Sequence, residues 1–579
     1  MQRRTFIKIS AIAGGAAAVP TALWLNSRWS AAEAATDSSP IVFNQLGYLP
    51  NATKLITLRS PSATFTVRAA SSGAVVLQGK PGAARDDSAS GDHVQIADIS
   101  AVRQPGMYVL ETDAGKSASF EIGNDVYRHA LWLTMRGYYG QRCGCDVELG
   151  NGYSHPACHL TAEFHKTSGK SGPCKNHGGW HDAGDYGRYI VNSGISTGTL
   201  LWAWEMFSGA VRKLDLKIPE SGGKLPDFLA EIRWNLDWML SLQDADGGVW
   251  HKQTSEKFCS FVMPQDDHLV SYVIGTGSAP YKSTCATADL AAVAAIAARC
   301  YGPFDDACAK TCLDAAKRAY AWASKNPDVR FQNPQGIRTG EYGDGDCRDE
   351  LLWAAAELWR TSGEEQYRQA FESGVAYLRT GSGIRVKAPG WNDLSALALW
   401  TYAMADRKGV SSELLAQIRE SSAREAEALV QNRRQNGYGN TLSLTDYSWG
   451  SNGVAGNQSL QLLVTDRLQK NDEFSHTAAE NLHYLIGRNC WDLSWVTQLG
   501  TKAFQHPHHR PSGADNIAAP WPGLLSGGPN AHPADRVGWL LPKRPPMQMY
   551  KDDEAAYSMN EICINWNAPL VFLLCALNS

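Results

Sequence analysis

The 579-residue sequence predicts a mainly α-helical protein, in which an (α/α)6 barrel follows a small all-β sandwich of the immunoglobulin type. Short alternating apolar runs, separated by Gly, Pro, Ser and Asp, fill residues 40–123 and indicate the sandwich. From residue 125 onward, about twelve helical patterns alternate with irregular loops, which favours a closed double ring of helices. A helical repeat array is the alternative, but the patterns recur with no fixed period.

The amino terminus resembles an export signal. Residues 3–8 (Arg-Arg-Thr-Phe-Ile-Lys) form a twin-arginine pattern, a weakly apolar stretch follows, and residues 32–34 (Ala-Glu-Ala) provide a cleavage site. Residues 1–35 are therefore predicted to be a signal peptide, which implies a periplasmic or secreted protein. An uncleaved membrane anchor is the alternative, which the Gly and Pro residues and modest hydrophobicity disfavour. We expect no membrane association after cleavage.

Two domains follow the signal. Residues 38–124 are expected to form the sandwich, with strands at residues 54–58, 65–68, 106–111 and 119–122. Residues 125–579 are expected to form the barrel. Its helices are predicted at residues 126–137, 190–206, 228–243, 285–300, 308–324, 347–362, 364–378, 394–405, 411–430, 457–468, 476–486 and 568–577.

Composition narrows the class of protein. The net charge of -4 gives no reason to expect nucleic-acid binding, and we expect a monomer. The 20 Trp and 21 Tyr residues are typical of a carbohydrate cleft, although a large core also takes up rings.

The 13 cysteines cannot all pair within one chain. Cys300, Cys308 and Cys312 are close enough in sequence for one local disulfide.

The most informative stretch is residues 178–189, which contain two carboxylates three residues apart. Only Ala and Gly separate Asp182 from Asp185, so a tight turn would aim both side chains the same way. Trp180 and Tyr186 flank the pair. Carboxylates that activate water beside rings that stack on pyranose faces suit a sugar site. The alternative is a turn whose aspartates merely cap the helix that begins near Ile190.

Two later stretches add further polar groups. Glu561 lies where a polar loop gives way to an apolar helix, and partial burial there would raise its pKa, as a general acid requires. Alternatively, Glu561 caps the final helix. Residues 506–512 supply histidine and arginine donors that could bind sugar hydroxyls or hold a carboxylate. The alternatives for that stretch are a metal site and a solvated basic turn.

From about residue 40 to its end, the chain resembles the glycoside hydrolase family 9 cellulases, in the subgroup with an immunoglobulin-like domain ahead of the barrel. Residues 182–186 (Asp-Ala-Gly-Asp-Tyr) match a family motif, and residues 499–502 and 508–510 resemble its substrate-binding region. The C-terminal signature matches at Tyr550, Asp552, Tyr557, Glu561, Asn567 and Ala568. Cys563 departs from the family, which usually has Ser, Thr or Ala there.

The resemblance implies a role for each matched residue. Asp185 would be the general base that activates water, Asp182 would help to hold that water, and Glu561 would protonate the leaving oxygen. The family inverts the anomeric centre, which requires about 6.5–9.5 Å between acid and base. His508 and Arg510 would bind the sugars that flank the cleaved bond. Tyr557, Trp391 and Trp449 are candidate stacking platforms, for which core packing is the alternative.

A zinc site is predicted beside the aspartates. Cys143, Cys158, His159 and His181 combine thiolate and imidazole ligands, which suits tetrahedral zinc. The resemblance also implies a structural zinc of this composition, which would brace the loop because His181 precedes Asp182. Cys145 could replace Cys143. The alternative is a disulfide between Cys143 and Cys158, or between Cys145 and Cys174.

Calcium is the second predicted metal. Acidic residues crowd the segment just ahead of an apolar helix, namely Asp344, Asp346, Asp349 and Glu350, and hard oxygen ligands of this density suit calcium. The family's site resembles Asp349 and Glu350 joined by a later aspartate, here Asp393. The alternative is an acidic helix N-terminus that the helix dipole favours.

The sequence thus predicts an exported, inverting β-1,4-glucanase that hydrolyses cellulose or related β-glucans. An exo-acting enzyme of the same family, a cellobiohydrolase or an exo-glucosaminidase, is one alternative. A non-catalytic carbohydrate-binding protein with the same fold is another, against which the intact acidic residues argue.

Overall fold

The computed structural model describes residues 39–176 and 178–579 as one compact unit. The predicted signal peptide lies outside the described residues. In the part that is described, we find no helix with the length and apolar character needed to cross a membrane.

Residues 41–122 fold into two packed antiparallel sheets. One sheet has the order β1-β2-β6-β5; the other has the order β4-β3-β7-β8, and β9 also pairs with β7. Alternate residues point into a shared apolar core, in which Ile56, Val67 and Leu110 are fully buried. The strands are β1 (Ile41–Val42), β2 (Leu55–Leu58), β3 (Phe65–Ala69), β4 (Val75–Gly79), β5 (Arg85–Asp86), β6 (His93–Asp98), β7 (Gly106–Thr112), β8 (Gly115–Lys116) and β9 (Phe120–Ile122).

The remainder is helical. The helices of the described chain are α1 (Arg128–Gly140), α2 (Ile190–Val211), α3 (Asp227–Ser241), α4 (Thr284–Tyr301), α5 (Asp306–Lys325), α6 (Arg348–Ser362), α7 (Glu365–Gly374), α8 (Ser395–Ala403), α9 (Ser412–Gln435), α10 (Ser451–Leu468), α11 (Asp472–Leu485), α12 (Arg510–Ala514), α13 (Arg536–Leu540), α14 (Tyr557–Asn560) and α15 (Ile564–Leu577). The long helices α1–α11 and α15 coincide in position with the predicted stretches, and α10, α11 and α15 begin four to six residues earlier.

The long helices form two concentric rings. In the inner ring α2 packs against α4 and α15, α4 against α6, α6 against α8, and α10 against α15. Helices α1, α3, α5, α7, α9 and α11 pack outside them. Most residues of the inner helices are buried, and α4 contains the alanine-rich run of residues 291–298, in which each side chain is buried. The loops that connect the helices therefore begin and end on tightly packed helices.

Short strands in the loops of the barrel position residues of the candidate active site. Strands β12 to β16 form a sheet of order β13-β12-β16-β15-β14, in which Tyr189 of β14 pairs with Lys252 of β15. The strands are β10 (Val147–Gly150), β11 (Tyr153–His155), β12 (Ala162–Phe164), β13 (Pro173–Cys174), β14 (Arg188–Tyr189), β15 (Lys252–Thr254), β16 (Ser271–Ile274), β17 (Arg379–Thr380) and β18 (Gly383–Ile384).

The cysteines pair differently from the local disulfide that sequence proximity suggests. Cys285 at the start of α4 is bonded to Cys347, the residue before α6. Cys308 and Cys312 are one turn apart on α5, but their sulfur atoms are 3.9 Å apart and unbonded. The expected local disulfide is therefore wrong, because the disulfide joins two helices whose proximity is set by the barrel.

Candidate active site

The loop that carries the two aspartates is fixed from both sides. Gly178 and Gly179 adopt positive φ angles of 98° and 79°, which turn the chain toward the barrel axis. Gln141 at the end of α1 donates its side-chain amide to the carbonyl oxygens of His181 (3.1 Å) and Ala183 (2.9 Å). A Cβ atom on Gly184 would lie 1.8 Å from the His508 carbonyl oxygen, so only glycine permits this approach.

Asp182 is buried at 2 % exposure and fully hydrogen-bonded. Its Oδ1 accepts from Asn192 Nδ2 at 2.7 Å, and its Oδ2 accepts from the Tyr342 hydroxyl at 2.7 Å. Burial raises the pKa of Asp182 to about 7, and the charge of Asp185 adds to that effect, while the hydrogen bonds oppose it. Its carbonyl oxygen accepts from Ile564 N at 2.9 Å, which ties the loop to the start of α15.

Asp185 has a different environment. Its Oδ2 accepts hydrogen bonds from Gly187 N (2.8 Å) and from the Tyr189 hydroxyl (3.3 Å), and the side chain lines the central cleft. Its other carboxylate oxygen is therefore available to the cleft. The two aspartates differ in their partners although they share one loop.

Glu561 reaches the same cleft from the C-terminal segment. It follows α14 in extended conformation, and His508 pairs with it through a parallel β-bridge. Burial raises the pKa of Glu561 well above its usual value; the charges of Asp185 and Asp182 add to the rise, and Arg510 opposes it. A raised pKa favours the protonated form of the carboxyl, which is the form that can donate a proton.

The helix-capping alternatives are not supported for either stretch. Tyr189 occupies the N-cap position of α2 and Cys563 that of α15, and in both cases no side-chain cap hydrogen bond forms within the described structure. The aspartates therefore do not cap α2, and Glu561 does not cap the final helix, α15.

His508 and Arg510 line the cleft as well, but they are held differently. His508 Nδ1 lies 2.8 Å from the Glu554 carbonyl oxygen, which can only accept, so this nitrogen carries the proton. Burial lowers the pKa of His508, which favours a neutral ring whose Nε2 is an acceptor. Arg510 donates to the carbonyl oxygens of Gly184 (2.7 Å) and Cys259 (3.1 Å), so its guanidinium joins two loops of the cleft.

Aromatic side chains surround the carboxylates in a cleft of about 690 Å³. Trp449 is 44 % exposed and its ring centroid is 5.5 Å from that of Tyr557. Trp391 packs edge-on against Tyr342 at 5.2 Å. Tyr189 and Phe258 also line the cleft. One cavity is thus bordered by the three carboxyl residues Asp182, Asp185 and Glu561 and by the predicted sugar-binding residues His508, Arg510, Tyr557, Trp391 and Trp449.

The four residues of the predicted zinc site come together next to the aspartate loop. Ligand atoms of Cys143, Cys158, His159 and His181 all lie within 4.8 Å of one another. The buried His159 Nδ1 has no hydrogen-bond partner among the described residues, while its Nε2 lies 3.3 Å from Asp267 Oδ2. This is the arrangement of a metal-binding histidine oriented by a carboxylate. The group fits a metal ion.

The cysteines near the predicted zinc site also test the two disulfide alternatives. In the part of the chain that is described, Cys143, Cys145, Cys158 and Cys174 are free, so neither disulfide alternative is formed. The compact group contains Cys143 and leaves out Cys145, which is partly exposed.

The predicted calcium ligands are less compact. Asp349 and Glu350 lie in the first turn of α6, and both oxygens of the fully buried Glu350 find no partner among the described residues. Asp349 Oδ2 accepts from Leu394 N at 2.6 Å. Asp393 is paired with Arg385 at 2.9 Å and accepts from Ser395, so it is occupied by protein groups. The orphaned Glu350 carboxylate fits a cation, whereas Asp393 already has a counter-charge.

Sequence reasoning missed several residues that surround the aspartates. Tyr342 and Asn192 hydrogen-bond Asp182, Tyr189 hydrogen-bonds Asp185, and Glu341 lines the cleft. Asn192 could have been noticed in the sequence, because it is an amide in the first turn of the helix that follows the aspartates. Tyr342 lies 160 residues from its partner, and only the fold reveals that contact.

The fold and the cleft together define a class. A raised-pKa carboxyl and hydrogen-bonded carboxylates in an aromatic cleft on a double ring of helices are the apparatus of a glycoside hydrolase.

Comparison with known proteins specifies the family. The family model described as Glycosyl hydrolase family 9 matches residues 127–574, and that described as Cellulase N-terminal ig-like domain matches residues 36–117. The chain belongs to glycoside hydrolase family 9. The resemblance seen in the sequence is confirmed, and so is the fold class of an (α/α)6 barrel behind an immunoglobulin-like sandwich.

Individual relatives support this assignment. Endoglucanase D of Acetivibrio thermocellus is 36 % identical over 93 % of this chain and 83 % of its own length. A xyloglucan-specific endo-beta-1,4-glucanase of Bacteroides ovatus is 35 % identical, with 93 % and 94 % covered. Among solved structures, a thermostable endoglucanase mutant from Alicyclobacillus acidocaldarius superposes with a TM-score of 0.85 at 33 % identity, covering 93 % of this chain and 99 % of that one. A Zn-binding triple mutant of a family 9 endoglucanase gives 0.86 at 34 %, covering 92 % and 99 %.

Proposed function

We propose that this family 9 hydrolase is an inverting endo-β-1,4-glucanase that acts on cellulose or related β-glucans. The observation that carries the proposal is the common cleft of Asp182, Asp185 and Glu561, in which one carboxyl has a strongly raised pKa. The names of the relatives, endoglucanases for the most part, support β-1,4-glucan as the substrate class.

The reaction assigns different tasks to the three carboxyl groups. Glu561, whose protonated form is favoured by burial, donates its proton to the leaving glycosidic oxygen. Asp185 takes a proton from the attacking water, for which its free carboxylate oxygen faces the cleft. Asp182, held by Asn192 and Tyr342, helps to hold that water. Inversion follows when water attacks from the face opposite the leaving group.

Neighbouring side chains would hold the glucan. The Nε2 atom of neutral His508 can accept a hydrogen bond from a sugar hydroxyl, and Arg510 keeps the two loops at the correct separation. Trp449, Tyr557 and Trp391 offer faces or edges for pyranose rings. An exo-acting enzyme is a second candidate, because a cellodextrinase of Butyrivibrio fibrisolvens is 33 % identical over 92 % of this chain.

We further propose that the group of Cys143, Cys158, His159 and His181 binds zinc, because two thiolates and two imidazoles suit that ion. A zinc ion held by these four residues would be structural and would brace the loop of the aspartates through His181. Calcium at Asp349 and Glu350, joined by Asp393, is a further proposal, supported by the unpaired Glu350 oxygens. Metal analysis of the purified protein tests both, and less than about half an equivalent of zinc would reject the first site.

We also propose that the protein is exported by the twin-arginine route and acts as a monomer in the periplasm or outside the cell. Export of a folded protein would suit a chain that binds metal before it leaves the cytoplasm.

The decisive experiment is a product time course on soluble cellulose derivatives, mixed-linkage glucan, xyloglucan and chito-oligosaccharides. An endo-acting glucanase lowers the viscosity of the polymer early and releases a range of oligosaccharides. Release of a single small product from the start would favour the exo-acting alternative, and cleavage of chito-oligosaccharides alone would overturn the glucanase proposal.

A single substitution tests the assignment of Glu561 as the general acid. Glu561→Gln should lower kcat by about 10² to 10⁴, because the amide cannot donate the proton that the leaving group needs. The fold should be retained, as judged by circular dichroism. Unchanged hydrolysis by a folded Glu561→Gln protein would contradict the assignment and favour a non-catalytic role for the cleft.

A further inference from the structure

A buried lysine lies behind the two aspartates. Lys252 of β15 is completely buried, and its ammonium group donates three hydrogen bonds. The acceptors are Asn333 Oδ1 at 2.6 Å, the Gly340 carbonyl oxygen at 2.6 Å and Thr339 Oγ1 at 3.1 Å. All three protons of the ammonium are therefore used, and all three acceptors belong to one loop, residues 331–342.

This loop carries a residue that touches Asp182. Its last residue, Tyr342, donates its hydroxyl to Asp182 Oδ2 at 2.7 Å. His251, next to Lys252, holds the same loop, because its Nε2 is 2.9 Å from the Glu341 carbonyl oxygen and its ring stacks on Phe331 at 3.8 Å. Strand β15 thus anchors both ends of the segment that delivers the Tyr342 hydroxyl.

Lys252 also acts toward Asp185. It pairs with Tyr189 across strands β14 and β15, and its ammonium lies 5.6 Å from the centroid of the Tyr189 ring. The Tyr189 hydroxyl accepts from Gly340 N at 3.2 Å and donates to Asp185 Oδ2 at 3.3 Å. Gly340 is bonded to Lys252 through its carbonyl and to Tyr189 through its amide. The Lys252 ammonium is therefore connected, through Gly340 and the loop of residues 331–342, to Tyr189 and Tyr342, which hydrogen-bond Asp185 and Asp182.

The charges around Lys252 are few. Burial lowers the pKa of Lys252 to about 7, while the charges of Asp185 and Glu341 favour its protonated form. Burial, reinforced by Lys252 itself, lowers the pKa of the neighbouring His251 to about 3, so that ring is neutral.

We propose that Lys252 is a positioning residue of the hydrolytic reaction, whose buried ammonium holds the loop of residues 331–342 so that Tyr342 is kept against Asp182 and Tyr189 against Asp185. The proposal rests on the proposed roles of the two aspartates. Lys252 does not line the cleft. It acts through Tyr342 and through Tyr189.

The test compares Lys252→Met with Lys252→Arg. Lys252→Met should lower kcat about tenfold or more and leave KM within about twofold, since the contacts to substrate remain. The acid limb of the kcat/KM profile should move to higher pH by about half a unit or more, because loss of the ammonium releases the Tyr189 and Tyr342 hydroxyls that hydrogen-bond the two aspartates. Lys252→Arg keeps the charge and should return the acid limb to that of the native enzyme.

The matched control is Lys282→Met. Lys282 is also buried and ion-paired, with Asp244 at 2.7 Å, and it does not line the cleft. Its removal should lower the midpoint of thermal unfolding without moving the acid limb. If Lys252→Met behaves as Lys282→Met does, with a lower midpoint and an unchanged acid limb, the positioning role is overturned and Lys252 is a stabilising residue only.

A readout without substrate separates this proposal from the proposed function. Carbon-13 labelling of the aspartate carboxyls, assigned by the loss of a signal in Asp185→Asn, follows protonation of Asp185 directly. Lys252→Met should move that titration to higher pH even if the native enzyme cleaves none of the tested glucans. An unmoved titration overturns the proposal even if endoglucanase activity is found.

Discussion

Asp182 and Asp185 are the same residue type on one short loop, yet their surroundings assign them different chemistry. Asp182 is enclosed by Asn192 and Tyr342, and burial raises its pKa to about 7. Asp185 keeps one carboxylate oxygen toward the cleft. The motif in the sequence identified the pair, but the residues that distinguish its members lie elsewhere in the chain. The difference between the environments of the two aspartates therefore follows from the fold.

The raised pKa of Asp182 predicts an effect on stability. Between its usual pKa near 4 and its raised pKa of about 7, this carboxyl is mainly protonated in the folded protein and mainly ionised in the unfolded chain. The free energy of unfolding therefore falls as the pH rises through that window. Asp182→Asn removes this penalty and should raise the free energy of unfolding at pH 8 by about 1–3 kcal/mol, while kcat falls. Thermal unfolding at several pH values measures the effect.

The same experiment contains its control. At pH 4 the native carboxyl is protonated in the folded state, so the gain in stability from Asp182→Asn should shrink toward zero. A variant that is equally stable relative to the native protein at pH 4 and pH 8 would contradict the pKa argument.

At the scale of elements, the long helices follow from the sequence because their periodic apolar faces are local properties. The starts of α10 and α15 were placed too late, because their first turns are rich in Ser, Asn and Gly or lead into Pro569, residues that favour loops in isolation. The Cys285–Cys347 disulfide and the Tyr342 contact could not be read from the sequence, because both join segments far apart in the chain.

The proposed zinc site includes His181, so loss of the site should disturb the loop that carries Asp182 and Asp185. Cys158→Ser should lower the zinc content below half an equivalent, lower the midpoint of thermal unfolding and reduce kcat, because His181 then loses the ion that holds it beside Asp182. Metal analysis and activity assays on the same preparation measure the three effects.

Cys145→Ser is the matched control, since Cys145 lies two residues from Cys143 but outside the compact group. It should leave zinc content and activity near those of the native protein. Loss of zinc in Cys145→Ser with retention in Cys143→Ser would reverse the choice of ligand.

At the scale of the whole molecule, the sandwich is joined to the barrel by polar contacts, some of which are buried. Thr57 of β2 donates to the Gly437 carbonyl oxygen at 2.9 Å and accepts from Arg488 Nε at 3.0 Å. Asp87 accepts from Gly437 N at 2.8 Å, and Gln45 accepts from the backbone of Thr501 at 2.9 Å. These contacts make the two parts one compact unit and depend on exact complementarity between distant segments.

A single substitution tests this junction. Thr57→Val leaves the Gly437 carbonyl and Arg488 Nε without their buried partner, and should lower the free energy of unfolding by about 1–3 kcal/mol with kcat unchanged. Thr66→Val, on the partly exposed strand β3, is the control and should have little effect. Equal midpoints of thermal unfolding for the two variants would contradict a stabilising role for the junction.

The hydrogen bond from Ile564 N to the Asp182 carbonyl has a consequence for biosynthesis. It joins the loop of the aspartates to a segment that the ribosome makes much later, since Cys563 is 381 residues beyond Asp182. A nascent chain can form most of its helices while Glu561 is still untranslated. Such a chain has the aspartates without the acid, and so it is catalytically silent until translation has passed α14.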